Sequence, residues 1–207
     1  MKRFEEIKTL YDRVFKDIDG YRVSYIEKQH KIGDRYIKDL IYGEIPLELL
    51  YALFALEPTR SYMARGKVFY DLGSGIGNAV IGSYLIGDFE KCVGIELLDG
   101  LHRESRRAKE NLCAIDGNAR DSVHFIQGNI LDFDLTDGDV LLFCCPNRDE
   151  GIRLEMEKKF LTLKNGAIIF SLIHVFKNTE NFHPLDSRMV RMAWGQTPLT
   201  VYERVIE

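Results

Sequence analysis

Val68-Phe69-Tyr70-Asp71-Leu72-Gly73-Ser74-Gly75-Ile76-Gly77-Asn78 begins as a short apolar, β-prone run and ends in a glycine-rich turn. The segment after it, Ala79-Val80-Ile81-Gly82-Ser83-Tyr84-Leu85-Ile86, is apolar enough for a buried helix. A strand, a glycine turn and a helix in this order form the nucleotide-binding corner of a doubly wound α/β fold. Asn78 stands where a dinucleotide fingerprint needs its third glycine, and no lysine follows as a phosphate-binding P-loop requires.

Asp71 narrows the ligand further. A carboxylate at the end of the strand, two residues before the first glycine, would repel a pyrophosphate. It would attract the ammonium and sulfonium of S-adenosylmethionine, and the glycines let the backbone approach without a Cβ in the way. Lys91-Cys92-Val93-Gly94-Ile95-Glu96 reads as the next strand and ends in an acid 25 residues after Asp71. An acid at this point accepts hydrogen bonds from ribose hydroxyls. The expected fold is therefore a doubly wound, mostly parallel, seven-stranded class I methyltransferase sheet with an N-terminal helical cap.

Working outward, Phe4, Ile7, Leu10, Tyr11 and Phe15 recur at helical spacing within residues 1–19. Residues 21–35 give no clear pattern, and residues 34–41 suit a short helix stopped by Gly43. Pro46 suits the first turn of a helix over Leu47–Phe54, and residues 58–66 read as a loop. Residues 1–60 are expected to form a cap carrying a Tyr42-Gly43-Glu44 loop, and residues 61–207 the core. In the core, helices are expected over 101–112 and 150–163. Strands are expected over 122–127, 139–144 and 167–172. Met189 to Trp194 and Leu199 to Val205 read as antiparallel strands around a turn at Gly195-Gln196-Thr197-Pro198.

The net charge of −4 gives no global case for nucleic acid or an anionic membrane. The run His102, Arg103, Arg106, Arg107 and Lys109 is either a basic patch or the solvated face of a crossover helix. No segment approaches the about 18 apolar residues that span a bilayer. The charged start, Met1 to Glu6, lacks the apolar core of a signal peptide. Cys92, Cys113, Cys144 and Cys145 lack zinc-type spacing and read as reduced thiols, so no metal is expected and the setting is intracellular, cytoplasmic or nuclear.

Four matches make the chain resemble the disruptor-of-telomeric-silencing family, the histone-lysine methyltransferases built on a class I core and not on the SET fold. Tyr42-Gly43-Glu44 stands about 27 residues before Asp71, as the family's Y-G-E loop does. Residues 71–78 are close to its D-L-G-S-G-x-G-[NQ], Val93-Gly94-Ile95-Glu96 to its V/Y-G-[VI]-E, and Trp194 with Pro198 and Tyr202 to its W-x-x-x-P. The resemblance implies an S-adenosylmethionine-dependent protein-lysine methyltransferase. It implies that Tyr42, Gly43 and Glu44 cover the cofactor, with Glu44 near its amino acid end. Asp71, Gly73, Gly75 and Asn78 line the methionine part, Glu96 holds the ribose, and Asn129 and Ile130 lie at the adenine. Tyr42, Cys145, Asn147 and Tyr202 are the residues expected at the transferred methyl group. The sequence departs from the family at the chemistry: N-N-F aligns with Cys144-Cys145-Pro146, and Val201 replaces the first of two paired tyrosines. Two other readings stay open: a small-molecule or nucleobase methyltransferase, with Cys145-Pro146-Asn147 in place of [DN]-P-P-[YF], and a cofactor-binding homologue without turnover.

Overall fold

The computed structural model describes residues 3–30, 41–57, 59–62, 66–144 and 150–206. The short helix expected over 34–41 and the loop bearing Cys145 and Asn147 lie outside the described residues. Seven strands form one sheet: β1 Val68–Leu72, β2 Lys91–Glu96, β3 Val123–Gln127, β4 Val140–Cys144, β5 Ile168–Leu172, β6 Phe182–Met192 and β7 Gly195–Arg204. Their order is β3-β2-β1-β4-β5-β7-β6, with only β7 antiparallel to its neighbours.

Strands buried on both faces alternate two sets of apolar residues. Phe69, Cys92, Leu142 and Phe170 face α1 Phe4–Phe15, α3 Leu47–Phe54, α5 Asn78–Ile86 and α6 Asp99–Cys113. Tyr70, Val93, Phe143 and Ile169 face the other side, where α8 Glu150–Phe160 contributes Met156 and Phe160. The short α4 Thr59–Tyr62 and α7 Ala119–Ser122 complete the helices among the described residues, together with α2 below. Cys92 and Cys113 are free thiols.

Strands β1, β2 and β4 and helix α5 fall at or within a residue of their expected limits. Other elements differ, β6 by starting at Phe182 and not at the expected Met189, and α8 by ending at Phe160 and not at residue 163. Helix α2, Gly20–His30, occupies the stretch that gave no pattern. It leaves Tyr21, Tyr25 and Ile26 exposed, so its apolar residues do not mark one face. Its start is set by Asp19, whose Oδ1 accepts the Arg22 N–H at 3.0 Å. Residues 59–62, expected as loop, are α4. The β6–β7 turn is the pair Ala193-Trp194, because Met192 already pairs with Gly195 and the strand runs on through Pro198. The basic run on α6 is partly neutralised within the helix, with Arg103 on Asp99 at 2.9 Å and Arg107 on Glu104 at 3.4 Å.

The turn after β1 is tightly determined. Gly77 has φ 90°, and a Cβ there would come within 2.4 Å of the Phe125 ring. Gly77→Ala should therefore lose about 2 kcal/mol of stability, from left-handed strain plus overpacking. Urea denaturation checks this as a lowered midpoint at unchanged slope.

Candidate active site

The carboxyl ends of the parallel strands bring most of the expected residues together. Tyr42, Gly43, Gly73, Glu96, Asn129 and Ile130 line one cavity of about 190 Å³. Glu44 and Asn78 line a second of about 340 Å³, which reaches Tyr11 on α1 and Tyr21 on α2. Neighbours in sequence line the two cavities: Tyr42 and Trp194 the first, Glu44 and Ala193 the second. The Tyr42 ring lies on the glycine turn, where a Cβ on Gly75 would stand 2.6 Å from it. Its hydroxyl donates to Glu44 Oε1 at 2.7 Å. Burial, and then the Glu44 charge, pushes the Tyr42 phenol up, and burial raises the Glu44 carboxyl too.

Asp71, next to last in β1, and Glu96, last in the adjacent β2, are both buried. Burial, aided by the Glu96 charge, pushes Asp71 up to about 8. No donor among the described residues satisfies its carboxylate. Glu96 is better supplied: Oε2 accepts the Gly75 N–H and Oε1 the Leu98 N–H, each at 2.8 Å. Burial still raises it, against the opposing pull of those N–H groups. Two buried carboxylates that disfavour one another make a site for a cation and for hydroxyl donors. Asn129 accepts the Leu131 N–H at 3.1 Å and thereby caps the 3₁₀ turn Ile130–Asp132 at the cavity wall.

Of the expected residues that are described, Asp71, Gly75 and Tyr202 line neither cavity, and Asn78 lies in the second. Asn78 Nδ2 donates there to the Tyr11 hydroxyl at 2.7 Å. Tyr202 is buried in the core on the α8 face of the sheet, stacked on Phe176 at 4.3 Å, with its hydroxyl accepting the Phe176 N–H at 3.1 Å.

The sequence gives several other cavity residues no role. Trp194 crosses from the β6–β7 turn onto the Tyr42 loop, and a Cβ on Gly43 would fall 1.9 Å from its ring. Lys28 of α2 and Ile152 and Glu155 of α8 also line the cavity. Burial lowers the Lys28 ammonium. Helix α2 is seated by Glu27, whose Oε2 accepts the Gly100 N–H at the start of α6 at 2.8 Å. No spacing rule could reveal these contacts, because they join elements far apart in the chain.

The model of the family described as "Histone methylation protein DOT1" matches residues 28–200. A relative from Gibberella zeae, named histone-lysine N-methyltransferase, H3 lysine-79 specific, is 28% identical over 155 residues. That match covers 72% of this chain, which spans only 31% of the relative's length. Among solved structures, an RNA methyltransferase from Salinibacter ruber in complex with S-adenosyl-L-homocysteine has a TM-score of 0.59 at 22% identity. It covers 79% of this chain and 95% of its own. A tRNA methyltransferase from B. subtilis has a TM-score of 0.57 at 15% identity, covering 80% of this chain and 67% of its own. These structures share the class I methyltransferase fold. The Y-G-E loop, the acids at the carboxyl ends of β1 and β2 and the match over most of the sequence agree: the chain belongs to the DOT1 histone methylation protein family.

Proposed function

We propose that the protein is an S-adenosylmethionine-dependent methyltransferase that modifies lysine side chains of a protein, with histones the first candidate acceptor. The observation that carries this is the pair of buried carboxylates, Asp71 and Glu96, at the carboxyl ends of the neighbouring strands β1 and β2, with Glu96 lining the first cavity beside Tyr42 and Gly43. The first cavity is below the about 300–1,000 Å³ of ordinary small-molecule sites, and the second falls within it.

Glu96 would take the ribose hydroxyls and Asn129 and Ile130 the adenine. Glu44 and Asn78 would meet the amino acid end in the second cavity, and Asp71 the positive charge between. Tyr42, on the glycine turn, would exclude water and orient the methyl group. When bound, the cofactor supplies a sulfonium methyl that passes in line to the acceptor nitrogen, leaving a neutral thioether and the proton on the product amine. The residues around it need only align the partners and keep the site dry. Cys145 and Asn147 would stand on the acceptor side, and Tyr202 would act from behind it. In this scheme residues 1–60 are a cap that brings the Tyr42 loop to a core of residues 61–207. The protein would work inside the cell, nuclear if histones are its acceptors. Among the described residues no helix is long and apolar enough to cross a membrane.

The test is methyl transfer from labelled S-adenosylmethionine to core histones, nucleosomes and a whole lysate, with the modified residue identified by mass spectrometry. Methylated lysine is the expected product. Label on RNA alone, or on nothing, would overturn the lysine assignment.

A further inference from the structure

The segment between β5 and β6 begins with Ile173 at φ 73°, the non-glycine residue of positive φ among those described. A β-branched residue holds this conformation only where its surroundings over-determine it. Here they do. The Ile173 N–H donates to the Pro198 carbonyl at 2.9 Å, and Ser171 Oγ donates to the His174 carbonyl at 2.7 Å. The Phe176 N–H donates to the Tyr202 hydroxyl. These bonds fix residues 173–176 to the sheet.

The same segment grips α8. His174 Nε2 lies 3.2 Å from Glu157 Oε2, and both side chains are 7% exposed. The Asn178 N–H donates to Glu157 Oε1 at 2.7 Å, and Lys177 Nζ pairs with Glu150 Oε1 at 2.6 Å. Helix α8 in turn borders the first cavity through Ile152 and Glu155. Lys159 Nζ donates to the Leu131 carbonyl in that cavity's wall at 2.9 Å. Phe143, another wall residue, stands edge-on to the His174 ring at 6.4 Å.

We propose that Glu157 and His174 are positioning residues whose buried hydrogen bond, backed by Tyr202, clamps α8 and Phe143 in the arrangement that closes the adenine side of the cofactor cavity. This rests on the cofactor assignment above. A buried polar pair is a poor source of stability compared with apolar side chains of the same volume. Both hydrogen bonds that Glu157 accepts come from the one segment, so the pair fixes register between that segment and α8. The groups facing His174 are Glu157 and Arg153 from α8, Lys177 from its own segment and, through Lys177, Glu150. Burial, outweighing Glu157, keeps His174 below its ordinary range. The ring donates through Nε2–H to Glu157 in either protonation state; protonation adds a buried positive charge facing Arg153 and Lys177, and that loosens the clamp.

The test is calorimetric titration of S-adenosylhomocysteine into the wild type, Glu157→Ala, Tyr202→Phe and His174→Gln, at about pH 7.5 and about pH 5.5, on either side of the ordinary histidine range. Glu157→Ala should bind about tenfold more weakly at the higher pH, and Tyr202→Phe about threefold, magnitudes usual for coupled neighbours. His174→Gln keeps a donor toward Glu157 and should stay within about twofold of wild type at the higher pH. Wild-type affinity should then fall about threefold or more relative to His174→Gln on acidification, since charging the ring opposes the bound geometry. That ratio cancels the pH dependence contributed by Asp71 and Glu96. A merely structural role would lower the melting temperature and leave the ratio flat, and a flat ratio overturns the proposal. If Glu157→Ala does not fold, the His174→Gln ratio still decides. A wild type that binds no S-adenosylhomocysteine overturns the cofactor assignment and this inference with it.

Discussion

Asp71→Asn is expected to bind S-adenosylmethionine about 30- to 1,000-fold more weakly than the wild type, the usual cost of removing one partner of a buried charge pair. It should nevertheless be the more stable protein at neutral pH. An acid whose folded pKa stands at about 8 against an ordinary value of 3.8 keeps, in the fold, a proton that the unfolded chain releases. Between those values the unfolded state binds fewer protons, so folding is opposed increasingly as pH rises from about 4 to about 8, and fully above. Asparagine carries no such penalty. The variant should gain about 1 kcal/mol or more at pH 8, a Tm rise of about 2–4 °C in a chain of this size, and the gain should vanish near pH 4. Thermal melts of both proteins across that range check the sign. A destabilised variant at pH 8 would mean that Asp71 is not held uncompensated in the free protein.

The same pKa predicts the pH dependence of binding. A cation beside Asp71 pairs with the carboxylate, so binding near pH 7 must expel a proton, and affinity should climb with pH until about 8 and then level. Calorimetry in buffers of different ionisation enthalpy measures that proton directly.

Gly43→Val should have the next largest effect, and it acts through Trp194. The ring occupies the space a side chain at Gly43 needs, and it is 38% exposed at the tip of the β6–β7 turn. The ring should therefore be displaced, with the fold left standing. Cofactor affinity should fall about tenfold or more, because the first cavity loses its Trp194 wall, while Tm moves by only about 2 °C, as for most exposed substitutions. Trp194 is the single tryptophan of the chain, so its emission reports the displacement without a label. Unchanged fluorescence with unchanged affinity would show that the Tyr42 loop closes without this contact.

Much of this site is legible in the amino-acid sequence. The apolar run, the three glycines and the acids at 71 and 96 follow from requirements local to the chain: a strand buried on both faces, a turn of positive φ and a carboxylate at a strand end. The limits of β1, β2, β4 and α5 are readable for that reason. The Tyr42-Gly43-Glu44 loop is legible only through resemblance, since three residues of irregular backbone carry no periodicity.

Long-range packing sets the rest. Helix α2 escapes a pattern search because Glu27 on the Gly100 N–H, Val23 and the Tyr21–Tyr42 ring contact seat it while Tyr21, Tyr25 and Ile26 stay exposed, so no stripe marks it. The β6–β7 turn falls at Ala193-Trp194, not at the glycine and proline beside it, as Trp194 reaches the Tyr42 loop. Tyr202, expected at the methyl group, is buried in the core on the α8 face of the sheet and lines neither cavity; Phe176 and its N–H hold it there. The class of fold and the polarity of the cofactor corner depend on residue type at fixed spacing, and the linear chain therefore specifies them. Which helix walls the cavity, how Tyr42 reaches it and what clamps α8 depend on contacts between distant segments, and only the folded chain brings those together.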